Sequence, residues 1–263
     1  AVPVFLALLL LIGVGPALPW GSGDPRRVRR ALLTPMIGAA AALGLGLLLG
    51  ARGLGLCLTL AFAGYALWVT FDQALQPARR RRRKGEALPD ALRTSAARAP
   101  RRIGAYVVHF GVVVTFLAIA VSSSFQVEQE AALAPGESMR IRGYELTFQQ
   151  AGAVQESHRI RQTADVALAR NGRDVGTLAP SINHYETTME PLATPAVRTA
   201  VTHDLYLTLM NVSADGSIGL RAIVTPAVVW IWVGVLVMVA GTGLCLVPPA
   251  RARAANVEQA EAA

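Results

Sequence analysis

Ile103–Gln150 reads IGAYVVHFGVVVTFLAIAVSSSFQVEQEAALAPGESMRIRGYELTFQQ. The run from Ile103 to Phe125 contains no Asp, Glu, Lys or Arg. About 20 such residues, coiled as an α-helix, cross a hydrocarbon core about 30 Å thick. The end of the stretch has a different period. Tyr144, Leu146 and Phe148 alternate with polar residues behind Arg142-Gly143. That is the pattern of a strand leaving a tight turn. The chain passes from a membrane helix straight into a β domain, and the rest of the sequence extends both halves of that reading.

Four more uncharged runs are Ala1–Trp20, Ala31–Ala51, Gly53–Phe71 and Ala222–Ala250. The first lacks the basic start and small-residue cleavage site of a signal peptide, so it reads as a span. Of 263 residues, 53% are hydrophobic and 16% charged, against about 25% charged in soluble chains. Mean hydropathy is +0.42. These values exclude a disordered chain and argue against a single soluble globule. The two cysteines, Cys57 and Cys245, lie inside apolar runs. They exclude a disulfide scaffold and a multi-cysteine metal site.

Between Phe125 and Arg221 the strand signals continue. Ile160–Ala169 alternates, Asn171-Gly172 is a hairpin signal, and Asp174–Leu178 follows it. Asp204–Val212 alternates with Leu205, Leu207 and Leu209 on one face, and Asp215-Gly216 leads into Ile218–Val224. The expected fold is an α-helical polytopic membrane protein of about five transmembrane helices with an inserted small all-β extracytoplasmic domain. The expected boundaries are 1–75 for three spans, 76–102 for a basic cytoplasmic linker and 103–124 for the fourth span. The β domain then takes 125–221, the fifth span 222–250 and a cytoplasmic tail 251–263.

Charge sets the expected orientation, because Lys and Arg near span ends mark the cytoplasmic side. Asp24–Arg30 carries four arginines and one aspartate, and Arg79–Arg102 carries ten basic and two acidic residues. Phe125–Arg221 carries eight arginines and eleven acidic residues. The basic blocks belong inside and the acidic block outside, with the N-terminus out and Arg251 and Arg253 in. The run Arg79–Lys84 reads as a stop-transfer signal and anionic-lipid anchor, or else as a docking site for a cytoplasmic partner. It has no interleaved aromatics to stack bases, so nucleic acid is not an expected partner.

His109 is the residue with the most chemistry. It lies in the fourth span, where ionisable groups are costly and face a bundle interior or cavity. Its residue type fits three roles: a histidine hydrogen-bonded to a neighbouring helix, a haem or metal ligand, or a proton relay. His158, His184 and His203 have no metal-ligand spacing and read as surface or structural. Trp230 and Trp232, at the outer end of the last span, fit an aromatic belt or the wall of a ligand groove. The sequence has no phosphate loop, no Ser-His-Asp pattern and no Cys-x-x-Cys.

Thr225 is followed by PAVVWIWVGVLVMVAGTGLCL, with Trp230, Ile231, Trp232, Gly234, Met238 and Gly241 in a W-I-W-x-G-x-x-x-M-x-x-G pattern. Upstream stand Tyr185-Glu186, Thr194-Pro195-Ala196 and Thr202-His203-Asp204-Leu205-Tyr206. Ile103-Gly104 with Val108-His109-Phe110-Gly111-Val112, and Pro3–Trp20 with Gly13-Val14-Gly15-Pro16, complete the set. Together these resemble the C-terminal part of CcmF-type cytochrome c haem lyases, the CcmF/NrfE family of cytochrome c maturation.

The resemblance implies a b-type haem held by transmembrane histidines, with His109 as one axial ligand. It also implies attachment of haem to the C-x-x-C-H thiols of an apocytochrome c outside the cytoplasmic membrane. Trp230, Trp232, Asp204 and Tyr206 become candidates for a haem groove or interface. The implied partners are the remaining N-terminal part of the lyase, apocytochrome c, a haem-delivery chaperone, other maturation proteins and membrane lipids. The implied location is the bacterial inner membrane. The family's tryptophan-rich haem segment and its other ligating histidines have no counterpart in this sequence, so the expectation is a fragment or one subunit of a split lyase. Two other readings are a non-catalytic assembly scaffold and a transporter component with His109 as relay. The spans lack the paired charges and broken helices expected of a transporter.

Overall fold

The computed structural model describes residues 2–18, 24–185 and 190–248. Trp20, Glu186 and the expected tail with Arg251 and Arg253 lie outside the described residues. The chain divides into two compact units, Ala1–Ser124 with Trp230–Ala263, and Phe125–Val229.

The first unit is helical: α1 (Val2–Ala17), α2 (Pro25–Leu33), α3 (Met36–Leu48), α4 (Leu54–Arg82), α5 (Leu88–Arg98), α6 (Pro100–Ser124) and α7 (Val228–Leu246). Four helical stretches are long and apolar enough to cross a membrane: Pro25–Leu48, α4, α6 and α7. The apolar α1 is shorter, at 16 residues. Four expected limits shift. The block Asp24–Arg30 is not a loop but the start of α2, with Asp24 accepting from the Arg26 amide and Pro25 at the first turn. That is a conventional helix start. The run expected from Ala31 as one helix is broken at Thr34-Pro35, because Pro35 has no amide hydrogen to continue the ladder. Similarly, α4 continues past Phe71 to Arg82, and α5 occupies much of the expected linker.

α4 is the central helix, packed by α1, α3, α5 and α6. Leu9, Ala63, Ala66 and Val113 bury one cluster between α1, α4 and α6. Ala17, Ala39, Tyr65 and Val69 bury a second. In lipid there is no hydrophobic gain from helix association, so small residues that let backbones approach do the holding. Gly104 and Gly111 of α6 meet Gly241 and Gly234 of α7: a Cβ at Gly104 would lie 2.6 Å from the Gly241 carbonyl oxygen, and one at Gly111 would lie 2.7 Å from that of Gly234. Thr115 occupies the space beside Gly234 and donates its hydroxyl to the Gly111 carbonyl at 3.0 Å.

The second unit is a sandwich of two antiparallel sheets. Its strands are β1 (Val127–Leu133), β2 (Ser138–Ile141), β3 (Tyr144–Glu156), β4 (Arg159–Arg170), β5 (Arg173–Leu178), β6 (Ser181–Tyr185), β7 (Leu192–Thr194), β8 (Ala196–Thr199), β9 (His203–Val212) and β10 (Ile218–Pro226). One sheet has the order β1-β10-β9-β8, the other β2-β3-β4-β6-β7 with β5 also on β4. The core is Leu146 and Phe148 of β3, Val166 and Leu168 of β4, Leu205, Leu207 and Leu209 of β9, and Ile218 and Leu220 of β10. Arg142-Gly143 (φ 47° and 80°) and Asn171-Gly172 (φ 50° and 77°) make the turns, both residues left-handed, as a two-residue turn between twisted strands requires. β10 extends five residues past the expected boundary at 221. Ala222 and Val224 point into the core, so the run expected to begin a span at Ala222 begins as strand. The helix starts at Val228.

Candidate functional site

His109 sits on α6 with Val113 at i+4, Phe116 at i+7 and Ala120 at i+11, so the four share one stripe. The glycines of the α7 seam, Gly104 and Gly111, lie on the other side of the helix at 100° per residue. Val113 packs with Leu9, Ala63 and Ala66. Phe116 and Ala120 line an apolar cleft of about 150 Å³ shared with Phe5, Leu9 and Leu56. Beside His109, the Phe110 ring meets Phe71 of α4 edge-on at 5.8 Å. The stripe therefore faces the α1–α4 side of the bundle.

The His109 Nδ1 is fully buried and has no hydrogen-bond partner among the described residues. A buried polar atom left unsatisfied costs about 1–3 kcal/mol. The reading of His109 as a histidine hydrogen-bonded to a neighbouring helix is not what these residues form. A relay would need a proton-accepting neighbour, and none is bonded to it among the described residues. An imidazole free of competing partners in an apolar bundle fits an axial haem ligand, which binds through a neutral ring nitrogen. Among the described residues no three His, Cys, Asp or Glu side chains gather to hold a metal ion.

Asp204 and Tyr206 come together on β9. Asp204 is buried and accepts from the Ala200 amide at 3.4 Å and from the Tyr206 hydroxyl at 3.4 Å. Burial, and then the Asp204 charge, raise the Tyr206 phenol above its usual range. Trp230 and Trp232 belong to the helical unit. Both are exposed, at 47% and 68%. Two residues apart on a helix, they point about 200° from each other and do not form one wall.

Sequence reading missed the network around His203. Its Nε2 lies 2.9 Å from the buried Tyr144 hydroxyl and its Nδ1 2.8 Å from the Thr202 hydroxyl. The two rings meet edge-on at 5.6 Å, and Arg170 lies over the Tyr144 ring at 5.2 Å. Tyr144 and Arg170 stand on one sheet and His203 on the other, so the network clasps the sandwich at one end. Arg142 at the same turn donates to the Phe125 carbonyl at 3.2 Å. Burial lowers the His203 pKa, Arg170 lowers it further, Asp204 opposes this, and Arg142 adds to the lowering. Tyr144 and His203 are 59 residues apart, a separation that leaves no local signal. The other two domain histidines are peripheral: His158 bonds the Ser157 hydroxyl and His184 the Gln162 side chain, both exposed. Both cysteines are unpaired and half-buried.

Residues 124–226 match the family model described as the CcmF C-terminal beta-sandwich. "Cytochrome c-type biogenesis protein CcmF" of Escherichia coli K12 is 28% identical over 242 residues, which is 91% of this chain and 35% of that protein. "Cytochrome c-type biogenesis protein ccl1" of Rhodobacter capsulatus is 28% identical, over 99% of this chain and 39% of that one. A solved structure, "Cytochrome c Heme Lyase CcmF", superposes with a TM-score of 0.75 at 29% identity, covering 94% of this chain and 39% of its own. The chain thus spans between a third and two fifths of these relatives' length. In sequence and in fold, the chain is similar to the C-terminal part of the CcmF-type proteins.

Proposed function

We propose that this chain is the C-terminal portion of a membrane haem lyase that attaches haem to the C-x-x-C-H thiols of apocytochrome c, with His109 an axial ligand of a b-type haem. The observation that carries the reading is the His109 Nδ1, buried and without a partner among the described residues, on a half-buried ring in an apolar bundle. The likeness to CcmF-type relatives supports it. The haem, when bound, supplies one-electron chemistry. His109 contributes a neutral ring nitrogen, held by helix packing rather than by a hydrogen bond. Packing around α6 keeps water from its Nδ1.

The β sandwich stands on the outer side of the bacterial inner membrane in this reading, with the N-terminus out and the C-terminus in. It meets apocytochrome c, a haem-delivery chaperone and other maturation proteins. Asp204, Tyr206, Trp230 and Trp232 are candidates for the haem groove or for those interfaces. The remaining N-terminal part of the lyase supplies the second haem ligand.

The test is a reduced-minus-oxidised visible spectrum of the complete lyase, wild type beside His109→Ala. A b-type signal lost in the variant is the expected result. An unchanged spectrum in a well-folded variant refutes the ligand role and leaves a scaffold.

A further inference from the structure

The arginines of α2 have no counterpart in that function. Arg27 and Arg30, one turn apart, line a cleft of about 350 Å³ between α2, the end of α1 and the polar end of α4. Neither forms an ion pair among the described residues. The acid on the opposite wall, Asp72, is already taken: it pairs with Arg79 and accepts from the Gln76 amide at 3.4 Å. Gln73, also on the wall, donates to the Pro16 carbonyl at 3.2 Å. The cleft is therefore built, with its neutral polar groups engaged and two cationic heads left over.

Its depth in the membrane can be read from the chain. Arg30 is the last charge before the uncharged run Ala31–Ala51, and Asp72 is the first after Gly53–Phe71. The cleft lies where both apolar runs end, at headgroup level. Trp68, 40% exposed, lines it, and indole rings favour that level. Ala17, Ala31, Pro35 and Val69 add apolar wall, and Thr34 turns its hydroxyl to the Arg30 carbonyl at 3.0 Å. A soluble anion has no use for that apolar half, whereas a glycerophospholipid covers both. We infer that this cleft is a binding site for an anionic phospholipid, whose phosphodiester is held by Arg27 and Arg30 and whose glycerol backbone lies against Trp68. Basic pockets between membrane helices hold such headgroups.

The experiment is native mass spectrometry of the full chain released from neutral detergent, titrated with phosphatidylglycerol. Arg27→Gln with Arg30→Gln is the test variant. Arg82→Gln with Arg83→Gln removes the same charge from the exposed end of α4, away from the cleft. At about fivefold per arginine near an anionic surface, the test pair loses about 30-fold in affinity, and the control pair stays within a few-fold of wild type. Arg27→Lys with Arg30→Lys retains most of the binding, which separates charge from folding. In parallel, the fluorescence change on adding lipid disappears in Trp68→Phe while the lipid adduct persists. Equal losses in both glutamine pairs overturn the site in favour of general surface charge. So does phosphatidylcholine binding as tightly, or a fluorescence change that survives Trp68→Phe. Displacement of the lipid by inorganic phosphate at equal concentration makes it a small-anion site and overturns the lipid assignment.

Discussion

Adding a single methyl group at Gly111 tests whether glycine contact holds α6 to α7. An alanine Cβ there would lie 2.7 Å from the Gly234 carbonyl oxygen, 2.7 Å from the Met238 Cγ and 2.9 Å from the Met238 amide nitrogen. Two of these three atoms are backbone, so no rotamer change relieves the crowding and the helices must part. A gap of about 0.5–1 Å forfeits a quarter to a half of each dispersion contact along the seam. Overpacking of this kind costs about 1–3 kcal/mol. At about 2–4 °C per kcal/mol for a chain of this size, Gly111→Ala melts several degrees below wild type. The control is Gly44→Ala in α3, where a Cβ meets nothing within 4 Å. Alanine is the better helix former by about 1 kcal/mol, so this variant melts at or above wild type. The assay is thermal unfolding of the full chain in mild detergent, followed by tryptophan fluorescence. If Gly111→Ala melts no lower than Gly44→Ala, close backbone approach is not what holds these helices together.

The remaining predictions concern the sandwich. His203 has a folded pKa below its usual value of about 6.5, so as pH falls the unfolded chain takes up the proton first. Its contribution to stability is complete above about pH 6.5 and is lost as pH falls through the lower folded value. Urea midpoints should drop below that pH, less steeply in His203→Gln, and equal slopes would refute the assignment. Phe148, fully buried among Leu146, Val166 and Leu207, costs about 3–5 kcal/mol when cut to Ala. A denaturant shift under about 1 kcal/mol would contradict that burial. Arg221 pairs with Glu128 and Glu130 of β1 at a partly exposed surface. Arg221→Ala should cost no more than about 1 kcal/mol by the same assay.

The sequence was most legible where one local rule decided the outcome. The uncharged runs became helices, Asn171-Gly172 became a turn, and Leu205, Leu207 and Leu209 went to the core together. It was least legible where two rules overlapped. Ala222–Val224 is apolar enough for a span, yet it pairs with β9 and β1 and fills the sandwich. Hydropathy alone does not separate a buried strand from the start of a helix. β1, β7 and β8 are short or charged, so their alternation is too brief to register. α2 was signalled by Asp24 and Pro25 but masked by four arginines. His109 stood out as a candidate because a histidine in a span is rare. That its ring nitrogen is left without a partner is a fact of packing. The His203 clasp joins residues from different sheets and is visible only after folding.

The pairing of β1 with β10, Val127 opposite Val224, bears on biosynthesis. The first strand made after α6 finds its neighbour only in the last strand made before α7. One sheet of the domain stays unfinished until nearly the whole insertion has been translated. Such long-range pairing folds slowly, and a waiting edge strand invites the wrong neighbour. Glu128 and Glu130 place like charges along that waiting edge until Arg221 arrives on β10 to meet them. The same strand pair brings the entry and exit of the domain side by side. Such an insertion is modular in evolutionary terms, since it can be gained, lost or exchanged at one point in the chain.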